Sequence, residues 1–383
     1  LQLKLKELAN AHWQVVALYI RYGVMKVKRA APGGEGLVID HFDRKAVHNY
    51  LAHIESAFEQ TGTPYPHTFF NDSYEVSEAT WTPSLLEEFE KRRGYKLENY
   101  LPMLQAGDPK IVSDYRETLG DLLLENFTQQ WTAWAHSHGA VTRNQAHGSP
   151  GNLIDLYAVA DIPEIESFYL SDFGIKGLRT DAGFTMTALS TLPTLKYASS
   201  AAHITGKRLT SSESMTWLTE HFRSSLSQMK PELDQLFVAG VNHVLFHGTT
   251  YSPKEAVWPG WKFYAAIDMS PTNSIWHDAP YLMKYIERVQ SFLQMGKPDN
   301  DFLVYAPFSY VMHKNTGDFS NRMVQFDINH MDSRMSELAK CVNAILTAGY
   351  DCDYTSEKFL MTTRYIDGKL QTEGGARYHA IVV

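Results

Sequence analysis

The chain has 383 residues, of which 44% are hydrophobic and 20% charged, with a formal net charge of −8. This length allows a substantial buried core, so we expect a globular protein. The acidic balance, without a long block of like charge, argues against nucleic acid or an anionic membrane surface as the main partner and favours a neutral or cationic ligand. Aromatic residues make up 13% of the chain, a content that suits either a large core or surfaces that stack on sugars.

Short apolar runs recur along the chain and are separated by segments with helical periodicity. This alternation is typical of a parallel sheet with crossover helices. The eight runs are WQVVALYI from Trp13, HTFFND from His67, AVTRNQAHG from Ala140, ADIPEIESF from Ala160, RLTSSESMTW from Arg208, NHVLFHG from Asn242, DFLVYAPFS from Asp301 and YDCDYTSE from Tyr350.

The helical segments between the runs have recognisable boundaries. Thr82 and Pro83 predict an N-cap and first turn, and Gly94 predicts the helix end. Further helices are predicted at about 220–238, 279–295 and 333–347, the last ended by Gly349. One helix has an apolar stripe at three- and four-residue steps, formed by Leu119, Leu122, Leu123, Phe127, Trp131 and Trp134.

Eight strand-helix alternations predict an α/β fold, a (β/α)8 TIM-like barrel with enlarged βα loops over residues 1–360. A doubly wound open sheet is the alternative, although no Gly-rich turn follows the first run. Residues 361–383 do not fit the barrel pattern: DGK predicts a hairpin turn, EGG a joint, and ARYHAIVV the first strand of a further, truncated domain. The start without Met and the apolar end predict a piece of a longer protein.

Cysteine use and hydropathy restrict the classes of site. Cys341 and Cys352 are the only cysteines, so neither a disulfide framework nor a thiolate metal cluster is expected, and both predict buried small side chains. The longest apolar runs are strand-sized, and nothing resembles a signal peptide, so no membrane insertion is predicted.

Polar residues accumulate where the predicted strands end. In a parallel barrel those ends form one rim, which is where catalysis occurs in such folds. The rim has few lysines but many acids, amides and imidazoles, which favours a functional site over an ordinary solvated rim. The candidate substrate-binding residues there are Asp72, Arg143, Gln145, His147, Glu164, Glu166, Trp217, His243 and His247.

Two carboxylates from different strands suit glycosidic bond cleavage, in which one protonates the leaving oxygen and the other activates water or attacks the anomeric carbon. Glu213 is the strongest single candidate, because small hydroxyl residues precede it and Trp217 follows as a possible pocket wall. The alternative is a rim ion pair between Glu213 and Arg143 or Arg208. Of Asp72 and Glu75, one is a candidate acid or base and the other a ligand for hydroxyls or a hard cation.

Two further motifs leave alternatives open. HSHG from His136 has two imidazoles at a helix end, and a solvated terminus explains it better than a metal site. WPGWKFYA contains Trp258 and Trp261 around a Pro-Gly turn and predicts either a sugar platform or a hydrophobic lid. His203, His221 and His277 receive no role.

These residues lie in stretches that resemble the α-L-rhamnosidases of glycoside hydrolase family 106, in the family's order from about Trp13 to the end. The matching stretches are VKRAAPGGEGLVIDHF, FFNDSYEVSEATWTPSLLEEFEKRRGY, RNQAHGSPGNLIDLYAVADIPEIESF, TSSESMTWL, GVNHVLFHGTTYSP with WPGWKFYA, and TEGGARYHAIVV. The basic loop after the opening strand is a departure from the family pattern.

The resemblance implies an inverting, exo-acting hydrolase of terminal α-L-rhamnose, with a catalytic (β/α)8 barrel flanked in the full enzyme by β-rich domains. By motif match, Glu75 and Glu213 would be the acid and base pair, with Glu75 as the acid, and Asp72 would lie in the substrate site. It also implies a Ca²⁺ ion that meets sugar hydroxyls, and a periplasmic or secreted bacterial location. Inversion predicts carboxyl groups about 6.5–9.5 Å apart. Activity on another sugar, or a carbohydrate-binding relic without turnover, are the alternatives.

Overall fold

A computed structural model of the protein describes residues 18–23, 25–77, 79–181, 183, 185–186, 190–313 and 324–383. The helices are α1 (Arg44–Thr61), α2 (Leu85–Arg93), α3 (Leu101–Ala106), α4 (Pro109–Leu123), α5 (Gln130–Ser137), α6 (Leu153–Val159), α7 (Leu192–Ile204), α8 (Leu226–Val238), α9 (Ala279–Met295), α10 (Phe308–His313), α11 (Met331–Arg334), α12 (Ser336–Thr347) and α13 (Glu357–Thr362). The strands are β1 (Thr68–Asn71), β2 (Val141–Asn144), β3 (Ile162–Phe168), β4 (Leu170–Ser171), β5 (Thr185–Met186), β6 (Ser211–Thr216), β7 (His243–Phe246), β8 (Phe302–Tyr305), β9 (Cys352–Thr355), β10 (Arg364–Ile366), β11 (Lys369–Gln371), β12 (Arg377–Tyr378) and β13 (Ala380–Val382).

Five of the predicted strands form one curled parallel sheet. Its order is β1-β2-β3-β6-β7, and every neighbouring pair is parallel. Because parallel neighbours require a crossover, helices α2 to α5 join β1 to β2, and single helices α6, α7 and α8 make the next three connections. The result is an α/β half-barrel whose strands all end at the same edge.

The predicted eight-stranded barrel is not what the described residues form. The runs from Asp301 and Tyr350 are strands, as predicted, but β8 and β9 pair with β13 in a second parallel sheet of order β13-β8-β9. The described strands therefore form two separate parallel sheets, neither a closed barrel nor one continuous doubly wound sheet, the alternative above. The run from Trp13 lies mostly outside the described residues, and its described part, 18–20, is not a strand. Barrels and doubly wound sheets share the same alternation, so periodicity could not separate them.

Helix α7 lies between the two sheets. It packs against β3 on one side and β9 on the other, and every described position from Pro193 to Ala202 is buried. Its run of Ala and Ser side chains allows this close approach, and Tyr354 of β9 donates a hydrogen bond to the Pro193 carbonyl. The one long cation of the helix, Lys196, is buried and paired with Asp351 at 2.8 Å. The largest hydrophobic cluster therefore extends continuously from the half-barrel to the second sheet.

Several local predictions are confirmed, and the predicted start of α2 differs. Asp367 and Gly368, both with positive φ, form the hairpin turn between β10 and β11, as DGK predicted. Gly94 ends α2, but the helix begins at Leu85 with Ser84, not Thr82, at its N-cap. The domain boundary near residue 360 stays a prediction, although β13 pairs with β8 across it. Cys352 is buried in β9 and Cys341 is half-buried in α12, and both are free thiols.

The stripe on α4 and α5 also packs as predicted, with Leu119, Leu122 and Leu123 in the main core and Trp131 in a smaller cluster with Phe127 and Trp134. Within the described ranges, no helix has the length and hydropathy needed to cross a lipid bilayer.

Candidate active site

Polar side chains line one face of the half-barrel sheet near the ends of its strands. Glu164 and Glu166 are two residues apart on β3 and therefore share a face, whereas Ile165 between them faces the hydrophobic core. The register of β3 with β6 aligns Glu166 with Glu213. Alternation along two neighbouring strands thus brings three glutamates to one side of the sheet.

Glu213 is held at both of its carboxylate oxygens. Gln145, directly after β2, donates from Nε2 to Oε2 at 2.8 Å, and the hydroxyl of Thr216 donates to Oε1 at 2.6 Å. The side chain is half-buried. The suggested rim ion pair with Arg143 or Arg208 is not formed, because Arg143 instead lies beside Glu164, with Nε 3.2 Å from Oε2.

His147 forms a buried hydrogen-bonded chain beneath Glu213. Its Nδ1 lies 2.8 Å from the Tyr157 hydroxyl and its Nε2 lies 3.0 Å from Glu166 Oε2. Burial raises the pKa of Tyr157 well above its usual range, so the phenol stays protonated. Both imidazole nitrogens are therefore occupied, and the ring orients Glu166.

The loop after β1 brings Asp72 and Glu75 to the same region. Desolvation raises the pKa of Asp72, and the charges of Glu213 and Glu75 raise it further, while the amide of Ser73 and His147 oppose the shift. Asp72 therefore lies within electrostatic reach of both glutamates, and we call the region around these three carboxyl groups the mouth. That Glu75 and Glu213 face one another there stays a prediction. Glu75 itself is open to solvent, with 60% of its side chain exposed, and lies 3.1 Å from Lys28 Nζ.

A glycine allows the loop after β1 to approach the loop after β2. Gly148, which follows His147, has φ +84°, and a Cβ there would lie 2.1 Å from the Tyr74 carbonyl oxygen. The amide of Tyr74 in turn donates to the His147 carbonyl at 3.0 Å. Gly148 therefore sets the distance between the loop of Asp72 and Glu75 and the end of β2.

We expect Gly148→Ala to lower the free energy of unfolding by about 2–4 kcal/mol, because it adds a backbone clash to a left-handed conformation. Gly62→Ala is the matched control, since Gly62 also has positive φ but nothing lies within 4 Å of its Cβ position; that change should cost only about 1 kcal/mol. Chemical denaturation of both variants measures the difference. Equal destabilisation by the two changes would contradict the proposed contact.

A basic loop lies beside Glu75, and no role was predicted for its residues. Lys28 contacts Glu75, while the guanidinium of the next residue, Arg29, lies 3.9 Å from the Tyr264 ring centroid and donates to its hydroxyl at 2.9 Å. Tyr264 belongs to the long segment after β7. The basic loop therefore links the β1 loop to the β7 loop at the mouth.

Four residues predicted to contact substrate are instead buried supports. Trp217 is fully buried in a hydrophobic cluster and donates its indole N–H to Glu232 at 2.8 Å, so the prediction that it walls the pocket is wrong. Gln145, His147 and Glu164 are each only 1% exposed and are bonded to protein groups, so direct contact with a sugar is wrong for them as well. Glu166 keeps more exposed surface, at 8%.

The remaining predicted contacts differ in position. His243 is the first residue of β7 and aligns with Ser211, so it lies below the rim; desolvation and the nearby charge of Arg143 lower its pKa. His247 follows the strand, and its Nδ1 lies 2.7 Å from the Ala265 carbonyl oxygen. Trp258 and Trp261 are open, with 73% and 61% of their surfaces exposed, so both remain candidates for a sugar platform.

Sequence reasoning missed Glu232 on α8. It is fully buried, it accepts hydrogen bonds from Ser167 and Trp217, and desolvation raises its pKa to about 7. Ser167 in turn accepts from the amide of Met215, two residues after Glu213 and in a positive-φ conformation. The sequence around Glu232 predicts only a helix. The burial of Glu232 and its hydrogen bonds depend on the packing of α8 against β6.

The described residues contain no group of three or more His, Cys, Asp or Glu side chains arranged to hold a metal ion. In HSHG, His136 lies 2.8 Å from Asp161, and His138 stacks on Tyr65 at 4.1 Å, so both imidazoles make structural contacts. The Asp, Glu and His side chains of the described residues do not by themselves form the calcium site that the resemblance implied.

A model of the protein family described as alpha-L-rhamnosidase matches residues 6–383. A Formosa agariphila protein named "Putative beta-glucuronidase" is 27% identical over 369 residues, which is 92% of this chain and 28% of that protein. The structure of a rhamnosidase from Novosphingobium sp. PP1Y superposes with a TM-score of 0.68 and 23% identity, over 93% of this chain and 32% of that chain, a likeness that concerns the fold alone. The chain thus spans about a third or less of each of these two proteins.

Proposed function

Because this chain belongs to the α-L-rhamnosidase family of glycoside hydrolases, we propose that it forms the catalytic part of an enzyme that removes terminal α-L-rhamnose from glycans or glycosides. The observation that carries the proposal is that Glu213 is held at both oxygens beside the end of β2, with the loop of Asp72 and Glu75 close enough for both glutamates to raise the pKa of Asp72. Cleavage of a glycosidic bond requires two such carboxyl groups on either side of the bond.

The environments of the two glutamates suit different roles in an inverting reaction. Glu213 is half-buried and held at both oxygens, so it can keep one attacking water aligned with the anomeric carbon and accept its proton. Glu75 is solvent-exposed and lies 3.1 Å from Lys28, and in the proposed reaction it gives its proton to the glycosidic oxygen. Asp72, whose pKa burial raises, is the second candidate for the proton donor.

A second candidate function is hydrolysis of an acidic sugar at the same site. The name of the Formosa agariphila relative refers to a glucuronide, and Lys28 at the mouth could pair with the carboxylate of a uronic acid. A binding relic without turnover is less well supported, since both Glu75 and Glu213 are present.

The test is an assay of the protein on 4-nitrophenyl α-L-rhamnoside, with the β-D-glucuronide and other aryl glycosides alongside. We expect hydrolysis of the rhamnoside, and proton NMR of the first product should show β-L-rhamnose because the reaction inverts the anomeric centre. Turnover of the glucuronide alone would favour the second function, an α-anomer as first product would contradict inversion, and binding without hydrolysis would favour the relic.

Calcium, location and neighbouring domains are further proposals from the family. Because the described acidic and imidazole side chains do not group into a metal site, no step above is routed through calcium. Repeating the assay with a chelator tests the ion directly. The greater length of the Formosa agariphila relative supports further domains in the full protein. The β-rich nature of those domains, a periplasmic or secreted location and a role in polysaccharide degradation rest on the family resemblance alone.

A further inference from the structure

Gln145 lies buried between two carboxylates. Neither the family resemblance nor a direct contact with substrate explains this position. It is 1% exposed, yet its amide nitrogen joins two carboxylates: Nε2 lies 3.1 Å from Glu164 Oε1 and 2.8 Å from Glu213 Oε2. A side-chain amide nitrogen has two hydrogens, so each carboxylate receives one. The amide oxygen has no hydrogen-bond partner, so the two acids, and not that oxygen, determine how the amide is turned.

Glu164 is built to keep this orientation. Its second oxygen, Oε2, accepts from the Ser211 hydroxyl at 2.6 Å and lies 3.2 Å from Arg143 Nε, in an ion pair whose angle is outside hydrogen-bond geometry. Burial and the charge of Glu213 raise the pKa of Glu164, while Arg143, Ser211 and Gln145 oppose the shift. Because Gln145 Nε2 lies within hydrogen-bond distance of both carboxylates, Gln145 presents its NH2 group to Glu164 and also to Glu213, which accept.

We propose that Gln145 is a positioning residue for Glu213, and that Glu164 with Arg143 fixes the orientation in which Gln145 donates. The inference rests on the proposed function for its catalytic consequence. If the amide turned over, its oxygen would face the Glu213 carboxylate, and the repulsion would displace the group that must align water. The buried acid on β3 thus acts through the amide that follows β2 upon the base on β6.

The first test measures turnover of the best substrate. We expect Gln145→Met, which keeps side-chain length but cannot donate, to lower kcat about 10- to 100-fold with KM changed less than about 3-fold. Glu164→Gln, which permits either amide orientation, should lower kcat about 3- to 10-fold. Gln228→Met is the matched control, because Gln228 is equally buried but bonds to Ser225, Arg179 and Asp181, and its loss should reduce stability without changing kcat.

A double-mutant cycle then asks whether Gln145 acts through Glu213. In the Glu213→Gln background, Gln145→Met should change kcat less than about 3-fold, because the group it positions is already inactive. A further 10-fold or larger loss in that background, or an unchanged kcat in Gln145→Met alone, would overturn the proposal.

The same double-mutant cycle can be measured on the free energy of unfolding, which does not depend on enzymatic activity. The coupling of Gln145 with Glu213 should appear as about a 10-fold non-additivity in the unfolding equilibrium constant, and additive effects would refute the contact. If the protein hydrolyses no α-L-rhamnoside, the proposed function fails, while this unfolding cycle still decides for or against the positioning by Gln145.

Discussion

Replacing Glu213 by Gln is expected to lower kcat by about 10²- to 10⁴-fold while the protein remains folded. The substitution keeps the shape of the side chain but removes the carboxylate that accepts the proton of the attacking water. Gln145 and Thr216 continue to surround the position, so the cooperative unfolding transition should stay close to that of the wild type. Steady-state kinetics on the aryl rhamnoside, together with thermal unfolding, measure both effects.

The matched control for Glu213→Gln is Glu117→Gln. Glu117 is also half-buried and also accepts from a hydroxyl, that of Ser113 at 3.0 Å, but it lies on α4 and belongs to an ion pair with Arg93. Its loss should leave kcat unchanged.

Azide, a nucleophile that needs no deprotonation, should restore turnover in Glu213→Gln by forming the inverted glycosyl azide. Near-normal kcat in Glu213→Gln without azide would rule out Glu213 as the base.

Replacing Glu75 by Gln is expected to separate substrates by their leaving groups. An alkyl rhamnoside has a poor leaving group that needs a proton, so its kcat/KM should fall about 10²- to 10⁴-fold, whereas a nitrophenyl rhamnoside should lose far less. Glu220→Gln is a close control: Glu220 is also 60% exposed and is paired with Arg223 at 3.0 Å, as Glu75 is with Lys28 at 3.1 Å. Neither substrate should distinguish Glu220→Gln from the wild type.

The same pair of substrates decides between Glu75 and Asp72 as the proton donor. If Asp72 binds sugar hydroxyls, Asp72→Asn should lower kcat/KM for both substrates by similar factors. If Asp72→Asn selectively abolishes cleavage of the alkyl rhamnoside, and Glu75→Gln does not, the acid role belongs to Asp72. Asp72 is exposed at the loop surface, but partial desolvation by its neighbours and the charge of Glu213 raise its pKa, which suits a proton donor.

Sequence reasoning identified the strands and the acids because both depend on local chemistry. Seven of the eight apolar runs contain strands, and the residues just after or within them are the carboxylates of the mouth. A short apolar run bounded by polar residues is a property of neighbours in the chain, and so is the exit of β1 into Asp72 and Glu75. The family resemblance added the prediction that Glu75 and Glu213 are the acid and base pair.

Pairing between strands could not be read in the same way. The runs at Asp301 and Tyr350 have the same pattern as the half-barrel strands, yet β8 and β9 join β13 on the far side of α7. Which edges meet depends on contacts between residues far apart in sequence, such as Tyr354 with Pro193, and no local periodicity records them.

The sequence by itself determined the α/β class, most element positions and the acid-rich edge, since hydrophobic periodicity and strand-end polarity are local signals. Only the tertiary structure decided which polar residues reach the mouth and which support it. Trp217, Gln145 and Glu164 have the composition of pocket residues, but strand register and helix packing bury them. The burial of a side chain depends on the elements that pack over it, and that arrangement exists only once the chain has folded.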